Sequence, residues 1–104
     1  MADPMRIRAR MEGEHCVVRV LMSHEMETGQ RKDATGQLIP AWFIHRVTAT
    51  SNGRVVFSAT WGPAVSKNPV LQFSFTGAKV GDAIQITWVD TRGERRTDEA
   101  RVSA

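Results

Sequence analysis

Three histidines and a single cysteine are the residues of this chain best suited to chemistry. A metal site needs ligands at close, repeated spacings, and His15, His24 and His45 stand far apart with no second cysteine to complete a pair. His24-Glu25-Met26-Glu27-Thr28 opens like a zinc-protease helix, but Thr28 stands where the second imidazole must be. Cys16 follows His15 directly, and neighbours on a strand point to opposite faces, so the two cannot share a proton. Ser66 and Ser74 lack the glycine-flanked elbow that exposes a nucleophile. The close carboxylate pairs, Glu25/Glu27 and Asp98/Glu99, lie in polar surroundings that would not raise a pKa. No glycine-rich phosphate loop is present. The residues predict neither catalysis nor a bound metal or cofactor, and recognition is what remains.

The bulk properties fit that reading. At 104 residues the chain is one domain, 1–104, large enough for a single core. Four Phe and three Trp favour pleated sheets over long helices. The formal charge of +3 is mild, and Arg6, Arg8 and Arg10 alternate as on a solvated strand face. The aromatics fall on apolar faces instead of among basic residues, so nucleic acid is not expected. No apolar run approaches the roughly 18 residues of a membrane helix. Met-Ala-Asp-Pro at the start lacks the pattern of a secretory signal and is expected to be disordered over residues 1–4. Cys16 precedes Val17 and Val18, which predicts a buried, inert thiol; an intermolecular disulfide is the alternative.

The elements that must position any recognition residues are strands. Met5, Ile7, Ala9 and Met11 alternate with Arg6, Arg8 and Arg10, the period of a half-buried strand. A Glu12-Gly13-Glu14 turn leads to a second strand over 15–22, with Cys16, Val18, Val20 and Met22 on one side. From Ser23 to Pro40 periodicity stops, and an extended hairpin-like arm with a turn at Asp33-Ala34-Thr35-Gly36 is expected. Strands over 42–51 and 54–61 flank Asn52-Gly53, the strongest short hairpin signal, with Val55, Phe57, Ala59 and Trp61 facing in. Leu71, Phe73 and Phe75 mark a fifth strand; Ile84, Ile86 and Trp88 mark a sixth. The polar run 95–103 reads as an edge strand. This is an all-β pattern, an immunoglobulin-like β-sandwich of about seven antiparallel strands.

Two loops break the pattern and carry the recognition reading. In the first, Met26, Glu27, Thr28, Gly29, Arg31 and Lys32 combine an adaptable thioether with charge; the competing reading tucks Met26 under the loop and leaves the charges solvated. In the second, Trp61 is followed by Gly62, Pro63, Ala64, Val65, Ser66, Lys67, Asn68 and Pro69, too rich in proline for a strand and oddly apolar for a connector. Trp61 itself continues an inward series and is expected to anchor the loop in the core.

These same loops carry a family resemblance. Met26-Glu27-Thr28-Gly29-Gln30-Arg31-Lys32-Asp33 with Ile39-Pro40-Ala41-Trp42-Phe43-Ile44, then the Trp61–Pro69 run, then Thr87-Trp88-Val89-Asp90 with Arg96-Thr97-Asp98-Glu99-Ala100, resemble the three signatures of the SoxZ family. The match runs from Arg6 to Ser103. The resemblance implies a non-catalytic subunit that forms a heterodimer with SoxY, whose cysteine carries the sulfur intermediates of bacterial thiosulfate oxidation. It further implies transient contacts with the other enzymes of the pathway and a periplasmic location reached by export together with SoxY. Arg31 or Lys67 would be placed to attract the anionic sulfur group, and the isolated chain is expected to be able to form a homodimer. Glu25 departs from the family pattern, which has proline before Met-Glu-Thr-Gly. Cys16 is not at a glycine-flanked carboxy terminus, so the carrier role does not transfer to it. A self-associating structural or adhesion-type sandwich is the alternative.

Overall fold

The computed structural model describes residues 2–104. Alternating sequence becomes seven strands: β1 (Arg6–Glu12), β2 (His15–Leu21), β3 (Ile44–Ser51), β4 (Arg54–Thr60), β5 (Val70–Thr76), β6 (Ala83–Asp90) and β7 (Arg95–Arg101). They form two antiparallel sheets, ordered β1-β2-β5 and β4-β3-β6-β7. The immunoglobulin-like sandwich read from the sequence is the fold. Asn52 and Gly53 take φ of 48° and 85°, as the tight turn between β3 and β4 requires. β1 and β2 pair directly across Gly13-Glu14, so the first two strands share a sheet.

The core is the sum of the inward faces. Val18, Val20, Ile44, Val47, Ile84, Ile86 and Trp88 are sealed from solvent, each aliphatic contributing roughly 1.5–3 kcal/mol by leaving water. The chain end ties the sheets together along one side. Ser103 donates to the Ala9 carbonyl and accepts from the Met11 amide, which closes the β1 edge onto the end of β7.

Two bulges reset the alternation along the strands, and the first corrects the sequence reading of Val55. Between Ala49 and Thr50 the β4 partners jump from Phe57 to Val55, leaving Val56 as the extra residue. That residue resets the alternation, so Val55 is turned outward at 61% exposure, while Val56 and Phe57 pack on the core. A second shift between Ile44 and Arg46 leaves His45 as the extra residue of β3, and Ile44 joins Val47 and Ala49 inside. Of residues 1–4, Met1 lies outside the described residues; the Ala2 carbonyl accepts from Arg96 Nη1 at 3.4 Å, and the Asp3 carboxylate accepts from Ser23 Oγ at 3.5 Å.

Candidate functional site: two laced loops over a buried histidine–aspartate pair

The excursion after β2 is a narrow hairpin arm. Glu27 and Trp42 exchange backbone hydrogen bonds of 2.6 and 3.0 Å at its base, and the Ile39 amide donates to the Arg31 carbonyl at 2.8 Å further out. At the tip, the Asp33 carboxylate accepts from the Thr35 hydroxyl and from the amides of Gln37 and Thr35, and these bonds hold its pKa below the ordinary value. Gly29 has φ of 88° and lies so close to the other limb that a Cβ there would meet Ala41 Cβ at 3.1 Å. The arm helps to give the protein an elongated outline of 52 × 21 × 20 Å.

The second loop lies against the base of this arm. The His24 amide donates to Asn68 Oδ1 at 3.0 Å, and the Asn68 amide returns a bond to the His24 carbonyl at 2.9 Å. Asn68 adopts φ of 51°, a left-handed conformation that asparagine tolerates better than most residues. Met22 donates to the Pro69 carbonyl, and Lys67 Nζ reaches Glu25 at 3.3 Å. Trp61 donates its amide to the His45 carbonyl and packs against the core, as the inward series predicted, while Gly62, Pro63 and Ala64 are exposed.

Between the loops runs a shallow groove. One hollow of about 400 Å³ is lined by Glu25, Met26, Glu27, Thr28, Arg31 and Lys67. Thr28 also borders a smaller hollow of about 190 Å³ with Gln30, Pro63 and Ala64. A third, of about 460 Å³, includes Trp61, Val65, Ser66, Lys67 and Asn68. Thus Glu27, Thr28 and Arg31 of the first loop and Pro63 through Asn68 of the second line adjoining hollows, whereas Gly29 and Gly62 line none of them. Lys32 stands further out on the arm, bridged to Leu38.

Met26 is different. Its side chain is 5% exposed, and its sulfur accepts from the Ile44 amide at 3.3 Å, so the thioether holds the arm down and is not offered to a partner. Both cations nearest the groove are already paired. Arg31 lies on Glu27, and the hydrogen bond between them holds the glutamate pKa down and the arginine pKa up. Lys67 is matched by Glu25. The groove is therefore close to neutral.

Beneath it lies a constellation that the sequence did not announce. His24 Nε2 donates to Asp90 Oδ2 at 3.0 Å, and both side chains are almost wholly buried. The Met26 amide donates to His24 Nδ1 at 3.0 Å, which leaves that nitrogen as an acceptor and puts the ring proton on Nε2. Trp42 Nε1 donates to Asp90 Oδ2 at 2.7 Å, while the amides of Arg92 and Glu94 donate to Oδ1 at 2.9 Å each. Burial pushes the Asp90 carboxyl up, but the bonds from His24, Trp42 and the two amides outweigh it, and its pKa lies below the ordinary value. The Arg92 guanidinium caps the Trp42 ring at 4.1 Å, and Trp88 meets His24 edge-on at 5.1 Å between ring centroids. Trp88 Nε1 has no hydrogen-bond partner among the described residues.

One signal for Asp90 was available. It shares the parity of Ile84, Ile86 and Trp88 on β6, so alternation alone turns this carboxylate inward. Its partner, 66 residues away in sequence, was not legible. The pair clamps loops and presents no reacting atom to solvent. Cys16 is sealed in the core, where burial, then the charge of Asp82, raise its thiol pKa and suppress the reactive thiolate. Among the described residues, no cluster of three or more metal-ligating side chains forms.

The molecule is thus an antiparallel sandwich with two loops braced against each other. Its sequence matches the profile of the sulphur oxidation protein SoxZ over residues 5–101, and the chain belongs to the SoxZ family. No curated protein matches it significantly. Solved structures resemble it at the level of fold. A hypothetical protein from Pyrococcus horikoshii OT3 superposes with a TM-score of 0.64 at 14% identity, covering 98% of this chain and 89% of that one. A superoxide reductase (neelaredoxin) from Ignicoccus hospitalis gives 0.59 at 12% identity, covering 98% and 82%.

Proposed function

We propose that this member of the SoxZ family is the non-catalytic partner subunit of a SoxYZ sulfur carrier, binding SoxY and helping to present its cysteine-bound sulfur to the enzymes of thiosulfate oxidation. The observation that carries this reading is the reciprocal His24–Asn68 bonding, which joins two loops distant in sequence into one preformed surface. A surface built before its partner arrives loses less conformational entropy on binding. Pro63 and the hydrogen-bonded base of the arm keep the groove stiff, and the paired charges around it suit a stable contact more than a steered encounter. In this reading the complex works in the periplasm, to which the chain is carried by SoxY, and it meets the pathway's enzymes transiently.

A second reading has its own support. β1 and β7 are charged edges, but β5 has no charged residue and β4 has only Arg54, with Val55 and Val70 exposed at 61% and 55%. Uncharged edges invite pairing, so the isolated chain is expected to self-associate through them. Sedimentation of the chain alone and with SoxY tests both readings. A homodimer displaced into a heterodimer supports the carrier role. A homodimer indifferent to SoxY leaves the structural reading standing and removes the first.

A further inference from the structure

The outer face of the β1-β2-β5 sheet gathers the protein's excess charge. Pairing sets Arg6 beside Leu21 and Val70, Arg8 beside Arg19 and Gln72, Arg10 beside Val17 and Ser74, and Glu12 beside His15 and Thr76. Four arginines share the face with one carboxylate, and that carboxylate is taken by Arg10 at 2.9 Å. The chain holds 14 Lys and Arg against 11 Asp and Glu, so removing these five residues leaves ten of each. The +3 of the whole protein is therefore the charge of this one face. Among the described residues, Arg6, Arg8 and Arg19 have no ion pair. Arg8 and Arg19 stand directly opposite each other in the ladder, an arrangement that weakens a sheet.

We infer that this face docks an acidic surface of a second protein, separately from the neutral loop groove. Charge complementarity gives the sign of the partner, and the aliphatic residues give its class. Leu21 and Val70 are 41% and 55% exposed beside Arg6, and apolar contact at one end of an arginine field suits a protein surface. A phosphate backbone offers nothing to those side chains, and the face carries no Phe, Tyr or Trp on which bases would stack. An unpaired basic field of this kind speeds encounter and makes it sensitive to salt, which fits a short-lived contact.

The test does not require SoxY, so it stands apart from the carrier reading. The full chain is titrated with a labelled peptide of alternating glutamate and leucine, with a length-matched DNA duplex, and with phosphatidylglycerol vesicles. The peptide is expected to bind best, and Arg8→Glu/Arg19→Glu to weaken it about tenfold or more, with the remaining affinity insensitive to salt. Arg46→Glu/Lys79→Glu, which makes the same change in charge at exposed positions away from this face, is expected to stay within about twofold of the parent. Because the first variant only exchanges one like-charged pair for another, thermal unfolding is expected to match the parent and confirm that it folds. Equal losses in the two variants, absence of peptide binding, or tighter binding of the duplex or the vesicles would overturn the proposal.

Discussion

His24 and Asp90 meet at 3.0 Å where the two loops cross, and each fixes what the other can do. The histidine has its remaining nitrogen committed to the Met26 amide, so the aspartate receives a proton donor of defined tautomer. The aspartate in turn accepts from Trp42 and from the turn after β6. One carboxylate thereby binds together the two limbs at the base of the arm and the β6–β7 turn.

Asp90→Asn is expected to be the most damaging small change in the chain. It keeps the shape but sets an amide among four donors, and leaving a buried donor unmatched costs about 1–3 kcal/mol. Denaturant unfolding reads this as a lowered midpoint.

The same residue predicts a pH response. Its folded pKa is depressed below 3.8, so its stabilising effect is fully present above that value and is lost as pH falls through the folded pKa. Asp98, whose pKa Arg96 and the Met5 amide also lower, acts in the same direction. Between pH 7 and the onset of acid unfolding, the parent and Asp90→Asn are expected to differ by a constant amount. Below about pH 4 the gap is expected to narrow.

Gly29→Ala separates the arm from the core. Positive φ and the 3.1 Å approach to Ala41 Cβ both oppose a side chain there, at a cost of about 1–2 kcal/mol. Since the arm projects from the sandwich, the expected result is faster amide exchange in 27–32 and weaker SoxY binding, with exchange in the β-strands unchanged. Uniformly faster exchange would place Gly29 in the global fold instead.

Lys67 and Glu25 are half-exposed or more, so their pairing contributes little to folding. Lys67→Glu is expected to leave the unfolding midpoint unchanged while weakening SoxY about tenfold through the charge it places in the groove. The double exchange Glu25→Lys/Lys67→Glu would restore the pair but not the affinity if partner contact depends on which residue carries which charge.

On the outer face of the β1-β2-β5 sheet, Arg8→Glu turns a like-charged cross-strand pair into an attractive one with Arg19. It is expected to raise the thermal midpoint by about 1–4 °C. A stabilising change at a natural position would indicate that the arginine is kept for something other than stability.

Much of this was legible in the chain itself. Alternation placed Val18, Val20, Ile84, Ile86 and Trp88 inside, and Asn52-Gly53 located its hairpin, because both signals act over a few residues. Val55 failed for the same reason that Phe57 succeeded: parity holds only until an extra residue enters the ladder, and nothing local marks Val56 as that residue. The loops were identifiable by composition, but their lacing was not. His24, Asn68 and Asp90 are far apart in sequence, and only the closed sandwich brings them together. Met26 shows the limit most clearly, since a methionine in a loop gives no sign of whether its sulfur faces a partner or the Ile44 amide.

Co-expression of this chain with SoxY, one of the two tagged, followed by size-exclusion chromatography with light scattering, tests the central claim most directly. A stable one-to-one complex is predicted for the parent, weakened by Gly29→Ala and Lys67→Glu but not by Lys79→Glu. Elution of the chain apart from SoxY, at every concentration tried, would contradict it.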